Sequence, residues 1–293
     1  MGVHRGSVRT VTSTGRPGLR LLVLPHSGGR AEGFTGWRAA LPAAFPGTAV
    51  ELCAAQYPGH GDRLAEPPSQ DVGAIAEEIV ADLARLPPAD LLLFGHSFGS
   101  AVACEVARRC PGAGLDVVLL VASSAWAPGD PARPPRDEHL LPDAELWERL
   151  VALGGIDPGI ASETEIRDLV LPAMRADIAA HERYLGCPDP VSLHCDVHAC
   201  VARADPLVPV LAARHWGRLT TGNASVDIRS GAHFHVFDDP ALLLADLARR
   251  VPTHATPTHA TPTHATPTHA TPTHATPTHA IPTHANGGGS AHE

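Results

Sequence analysis

The chain contains no lysine, so all 22 of its basic residues are arginines. This absence excludes Schiff-base catalysis by a lysine amine and a phosphate-binding loop that depends on a lysine. The 31 acidic residues outnumber the arginines and give a formal net charge of −9, which disfavours nucleic acid as a partner. The chemistry of this protein must therefore come from other side chains.

Long apolar runs and paired cysteine motifs are missing as well. No stretch approaches 18 consecutive apolar residues, and residues 1–20 are polar and arginine-bearing without an apolar signal core. We therefore expect a soluble cytoplasmic protein that does not bind a membrane. The six cysteines show no C-x-x-C spacing, which predicts free thiols in a reducing compartment and no metal site.

A five-residue unit, Pro-Thr-His-Ala-Thr, repeats from Pro252 onward. A tract with a proline every fifth residue and almost no large apolar side chain can form neither a core nor a helix nor an inner strand. We expect an N-terminal extension at 1–19, a folded domain at 20–251 and a disordered tail at 252–293. The spaced histidines of the tail leave open a weak metal-gathering role, although a repeat without function is the simpler interpretation.

Apolar strands alternate with helical segments through the first half of the domain. The pattern predicts strands at 21–24, 50–54, 91–94, 117–121, 197–201 and 225–229, and a helix through Phe34, Trp37 and Leu41 after the first strand. Alternation of this kind indicates a mostly parallel sheet flanked by helices, with functional loops at the carboxyl ends of the strands. From about 126 to 190 only helical segments occur, which predicts a helical lid inserted between two strands. The alternative is that these helices only pack against the sheet.

The segment Gly95-His96-Ser97-Phe98-Gly99 lies between an apolar strand and a helix. An α/β-hydrolase holds its nucleophile at such a G-x-S-x-G turn, because the strained turn aims the serine out of the sheet at the start of the helix. Ser97 is therefore the candidate nucleophile. The alternative is a glycine-rich turn in some other doubly wound sheet.

An acid and a base follow the serine in the order that the α/β-hydrolase fold uses. Asp205 comes after the strand at 197–201, and His233 comes after the strand at 225–229. His235 is the rival base, although alternation would point it the other way. Asp196 and Asp227 are poorer candidates for the acid because they lie at or inside strands.

Two backbone amides are candidates for holding a developing oxyanion. In this fold the donors are the amide after the nucleophile and one from the loop after the first strand. Here those are Phe98 and Ser27, the latter within Pro25-His26-Ser27-Gly28-Gly29. A generic tight turn is the alternative interpretation of that loop.

Several motifs together resemble the stand-alone type II thioesterases that accompany polyketide synthases and nonribosomal peptide synthetases. The resemblance spans roughly residues 20 to 250. Its motifs are 24–29, the loop Gln56-Tyr57-Pro58-Gly59-His60-Gly61-Asp62-Arg63, 94–99, the lid segment Leu171-Pro172-Ala173-Met174-Arg175-Ala176-Asp177, 205–208 and 231–234. The loop before the acid departs from the family, since Ala202-Arg203-Ala204 replaces its usual Gly-Asp-Arg, and Gly231-Ala232-His233 replaces Gly-Gly-His.

The resemblance implies an α/β-hydrolase that removes acyl groups from the phosphopantetheine arm of acyl or peptidyl carrier domains. It implies a Ser97, His233 and Asp205 triad, the Ser27 and Phe98 amides as oxyanion donors, and no metal or dissociable cofactor. We also expect a monomer. Arg133 and Arg136 are candidates for carrier contacts on the lid. Two other functions stay open: a generic esterase on small soluble esters, and a non-catalytic protein that docks carriers or gathers metal.

Overall fold

Within residues 6–12, 16–186 and 191–252, which the computed structural model describes, seven strands form one sheet. Their spatial order is β1-β3-β2-β4-β5-β6-β7, and every neighbouring pair is parallel except β1 with β3. The strands are β1 Val8–Thr10, β2 Leu19–Leu24, β3 Val50–Ala55, β4 Asp90–His96, β5 Val117–Ser123, β6 Asp196–Ala202 and β7 Ala224–Arg229. The predicted mostly parallel sheet is confirmed.

The edge strand β1 is a feature that the apolar pattern did not predict. It lies within the stretch 1–19 that sequence analysis assigned to an extension, and it pairs antiparallel with β3 through Val8 opposite Ala55. Three residues are too few for a periodic signal. Apart from Pro252, the predicted tail lies outside the described residues.

Six α-helices accompany the sheet in the described ranges: α1 Leu41–Ala44, α2 Val72–Leu83, α3 Phe98–Arg109, α4 Asp143–Leu153, α5 Thr164–Leu185 and α6 Pro240–Ala248. The helix expected through Phe34 is instead a 3₁₀ segment, Ala31–Ala39. Gly33 and Gly36 lower the helix propensity there, which disfavours a regular α-helix. None of the described helices combines the length and the apolarity that a membrane crossing requires.

The core lies on both faces of the sheet. Successive residues of β2 point to opposite faces, so Leu21 packs in the layer with α6 and Leu22 packs in the layer with α2 and α3. Strands covered on both faces are continuous apolar runs in the sequence, which explains why they were predictable. The five cysteines of the described ranges are buried free thiols, as expected, and Cys187 lies outside those ranges.

The insertion between β5 and β6 carries helices α4 and α5 and has its own small core around Trp147, Met174 and Ile178. We call this insertion the lid. Its two α-helices lie within the stretch 126–190 where the sequence predicted helical segments, and its role as a lid stays a prediction. Because β5 and β6 are neighbours in the sheet, the lid leaves and returns at the carboxyl edge, where the loops after β2, β3 and β4 also lie.

The junction of β4 with α3 yields a stability prediction. A Cβ added at Gly99 would lie 2.0 Å from the Leu24 carbonyl oxygen, whereas one added at Gly33 would meet nothing within 4 Å. We expect Gly99→Ala to lower the free energy of unfolding by about 3 kcal/mol, because backbone cannot move aside easily. Thermal denaturation should show a melting temperature lowered by roughly 6–12 °C.

Gly33→Ala is the matched control, because it adds the same methyl group in open space and should leave the melting temperature within about 2 °C. A Gly99→Ala variant as stable as this control would contradict the close approach of α3 to β2.

Candidate active site

Ser97 occupies the turn between β4 and α3 with φ 53° and ψ −120°. Positive φ is uncommon for a residue with a side chain, and a strained turn at this place is typical of a nucleophile elbow. The turn is tight because both flanking glycines face backbone: a Cβ on Gly95 would lie 2.4 Å from the Gly99 carbonyl oxygen. The Ser97 amide donates to the Ser123 carbonyl at 2.8 Å, which ties the turn to β5.

Asp205 and His233 contact each other through a buried hydrogen bond. Nδ1 of His233 lies 2.9 Å from Oδ2 of Asp205, and the two side chains are 2% and 0% exposed. Oδ1 of Asp205 accepts from the amides of Leu207, at 2.9 Å, and Val208, at 3.2 Å. Burial would raise the pKa of Asp205, but the hydrogen bond and charge of His233, together with the Leu207 amide, outweigh it and lower the pKa.

The loop after β2 makes a tight turn, which we call the 26–29 turn. The Gly29 amide donates to the His26 carbonyl at 2.8 Å, and Gly28 has φ +76°, as the third position of a type II turn requires. In the described part of the chain, the Ser27 amide has no recorded acceptor. Phe98 is the first residue of α3, where an amide has no partner within the helix.

A cavity of about 100 Å³ brings the predicted residues together at this edge of the sheet. Ser97, His233 and Ser27 all line it. Phe98 and Asp205 do not line it, which fits a donor that acts through its backbone and an acid that acts through the histidine. The lid contributes most of the apolar wall, with Trp126, Leu150, Leu153, Met174, Ile178 and Leu185.

The rival residues of the sequence analysis are engaged elsewhere. His235 is buried with Nε2 3.5 Å from Ser123 Oγ, and burial, followed by the charge of Arg229, lowers its pKa to about 4. Asp196 accepts hydrogen bonds from the backbone and side chain of Asn223. Asp227 forms an ion pair with Arg250 at 2.7 Å. His235 begins a short 3₁₀ segment, His235–Phe237, so the strand alternation that disfavoured it does not apply there.

Three histidines beside the cavity were not singled out by the sequence. Burial is the main cause that lowers the pKa of His26 to about 4, that of His181 to about 3, and that of His96 below its ordinary value. His26 and His181 line the cavity. With 19 histidines in the chain, no local pattern could separate these neutral imidazoles from the rest.

One group of side chains in the described ranges has the composition of a metal site. Ligand atoms of Asp137, His139 and Glu182 lie within 4.8 Å of one another. His139 and Glu182 already pair with each other, and Glu182 also accepts the Glu138 amide at 2.9 Å. These atoms therefore tie the start of the lid to α5.

Comparison with known proteins places the geometry in a family. The chain matches the thioesterase-domain family over residues 19–250. It is 36% identical over 224 residues to thioesterase PikA5 of Streptomyces venezuelae, which covers 75% of this chain and 76% of the relative. It is 32% identical over 235 residues to phenyloxazoline synthase MbtB of Mycobacterium tuberculosis, covering 79% of this chain but only 16% of that longer protein.

A solved structure agrees in fold as well as in sequence. The type II thioesterase BorB from the borrelidin biosynthetic cluster superposes with a TM-score of 0.73 and 33% identity, covering 84% of this chain and 98% of BorB. The expected α/β-hydrolase fold and the resemblance to type II thioesterases are therefore confirmed. The chain belongs to the thioesterase-domain family and is a hydrolase that acts on thioesters.

Proposed function

We propose that this thioesterase releases acyl groups from the phosphopantetheine arm of acyl or peptidyl carrier domains, through an acyl-enzyme on Ser97. The observation that carries the proposal is the 2.9 Å contact of His233 with Asp205 beside a cavity that Ser97 and His233 both line. Relatives such as BorB, which comes from a biosynthetic cluster, support carrier-bound thioesters as the substrate class.

His233 acts as the general base. Asp205 accepts a hydrogen bond from the Nδ1–H of His233, which leaves Nε2 free to take a proton from Ser97 and holds the ring in one orientation. The carboxylate stays ionised because its pKa is lowered, and it stabilises the imidazolium that forms during attack.

Acylation begins when Ser97 Oγ attacks the thioester carbonyl and its proton passes to His233. The carbonyl oxygen becomes an oxyanion, which the Ser27 and Phe98 amides stabilise. When the tetrahedral species collapses, the carbon–sulfur bond breaks and the thiol leaves with the proton from His233. A thiol of pKa near 8.5 is a good leaving group, so acid assistance matters less than it would for an amide.

Deacylation repeats the sequence with water. His233 takes a proton from a water molecule, the resulting hydroxide attacks the acyl-serine, and the same amides hold the second oxyanion. Collapse breaks the bond to Ser97 Oγ, which recovers its proton from His233, and the free acid leaves. The apolar wall that the lid contributes limits the water that reaches the acyl group.

Carrier recognition falls to the lid. Leu140 and Leu169 on the lid are 70% and 56% exposed, and exposed apolar side chains of this size suit a protein partner. Arg133 and Arg136, proposed from the sequence as carrier contacts, line the cavity and can contact the incoming arm. Because both the chain and carrier domains are acidic, we expect docking to depend mainly on these local contacts and little on long-range attraction.

Loss of the nucleophile is the first test of this proposal. Ser97→Ala should lower kcat/KM on an acyl-carrier substrate by about 10⁴-fold or more, because the covalent route is removed. Its melting temperature should not fall, since the substitution removes only a hydroxyl from a strained turn. Ser69→Ala, in the exposed loop before α2, serves as the control and should keep full activity. A rate above a tenth of wild type in Ser97→Ala would exclude Ser97 as nucleophile.

Substitutions distinguish the proposed base and acid from the other candidate residues. His233→Ala and Asp205→Asn should each lower kcat by about 10³- to 10⁴-fold, the latter because it favours the wrong tautomer of the base. His235→Ala should lower kcat less than tenfold. Steady-state hydrolysis should be measured below the melting temperature of every variant. A larger loss of kcat in His235→Ala than in His233→Ala would assign the role of base to His235.

The carrier itself should contribute to catalysis. An acyl-carrier protein should be hydrolysed with at least about tenfold higher kcat/KM than the same acyl group on a short thiol, because only the carrier contacts the lid. Leu140→Ser should reduce this preference without changing hydrolysis of the short thioester, whereas Leu242→Ser, an exposed residue of α6, should change neither. Equal efficiency on both substrates would favour the generic esterase.

A further inference from the structure

Two segments that carry the resemblance, the loop 56–63 and the lid segment 171–177, meet in the structure. His60 belongs to the loop 56–63 after β3, and Asp177 belongs to the lid helix α5. Nε2 of His60 lies 3.0 Å from Oδ2 of Asp177, and their side chains are 3% and 2% exposed. Burying two ionisable side chains costs desolvation free energy, so the other contacts of this pair are of interest.

The same carboxylate oxygen of Asp177 holds the 26–29 turn. Oδ2 accepts a hydrogen bond from the Gly28 amide at 2.8 Å. The helix lies directly on the turn, since a Cβ on Gly28 would come within 2.7 Å of Met174 Cγ. With the Gly28 amide bound to Asp177 and the Gly29 amide bound to His26, the Ser27 amide is left as the donor for an oxyanion.

His60 contacts Asp177 with one ring nitrogen and the backbone with the other. Its Nδ1 lies 3.0 Å from the Pro58 carbonyl oxygen, so both ring nitrogens face oxygen atoms. A neutral imidazole can donate to only one of them, whereas the imidazolium satisfies both. Burial alone would lower the pKa of His60, but the Asp177 carboxylate outweighs burial and raises it above its ordinary value.

We propose that Asp177 is a positioning residue through which the lid helix α5 holds the Ser27 amide in place for the oxyanion. This inference rests on the proposed function, since it assumes that Ser27 donates during catalysis. The helix α5 also gives Met174, Ile178 and His181 to the cavity wall. The helix that forms part of the cavity wall therefore also holds the proposed oxyanion donor.

The test is a comparison of Asp177→Ala with wild type on an acyl-carrier substrate. Removing an oxyanion donor costs about 10²- to 10³-fold in kcat, and loosening one should cost less, about 10- to 100-fold. KM should change less than about threefold, because the lost interaction forms only in the transition state. A boronic acid that forms a tetrahedral adduct with Ser97 should lose affinity by a similar factor.

Two further variants separate positioning from general support of the lid. Tyr184→Phe removes another tie of α5 to the body, the hydrogen bond from Tyr184 to Glu105 at 3.2 Å, and should leave kcat within twofold of wild type. Asp177→Asn keeps an oxygen for the Gly28 amide but loses the charge that pairs with His60, so its kcat should lie between those of wild type and Asp177→Ala. If Asp177→Ala does not fold, Asp177→Asn alone tests the inference. Its kcat must then be at least threefold lower than that of wild type, with an unchanged KM, for the inference to stand.

Hydrogen exchange of the segment 25–31 gives a readout that does not depend on turnover. Its amides should exchange faster in Asp177→Ala than in wild type or Tyr184→Phe. Wild-type kcat in the folded Asp177 variants, unchanged exchange in Asp177→Ala, or a change in KM alone would overturn the inference. Failure of the proposed function can be distinguished from failure of this inference. If the proposed function is wrong, wild type and Ser97→Ala should hydrolyse the substrate equally. The exchange measurement would still report the contact of Asp177 with the turn.

Discussion

The close approach of α3 to strands β2 and β4 is the constraint on which the site depends. It is possible only because Gly95 and Gly99 present no side chain where backbone lies 2.0–2.6 Å from the ideal Cβ positions. The approach forces Ser97 into its strained conformation at φ 53° and places its side chain at the edge of the sheet. The sheet and the core on its two faces supply the rigidity that maintains this strain.

Several buried histidines lie near Ser97, and their surroundings differ. Burial lowers the pKa values of His26 and His181, so neither carries charge at neutral pH. His233 differs from them because a carboxylate, Asp205, faces its Nδ1. The second buried pair, His60 with Asp177, contacts the 26–29 turn through the Gly28 amide. Both pairs therefore contact elements that the proposed mechanism uses.

Local sequence patterns were enough to predict six strands and a helical segment between β5 and β6, and they led to the proposal of Ser97, Asp205 and His233 as the triad. These features produce short-range signals, such as continuous apolar runs for strands buried on both faces and a glycine-flanked serine at a turn. The strand β1 was too short for such a signal, and the glycines of 31–39 changed an expected α-helix into a 3₁₀ segment. The contact of His60 with Asp177 joins segments far apart in the chain, and no local pattern encodes it.

The central claim, that hydrolysis passes through a covalent acyl-serine on the strained turn, can be tested by rapid quench and mass spectrometry. The protein is mixed with an acyl-carrier substrate, quenched in acid during the first turnover, digested with trypsin and sequenced by tandem mass spectrometry. The account predicts an acyl group on Ser97 within the peptide 86–108. Product formation without any adduct, or an adduct on Cys104 of the same peptide, would contradict it.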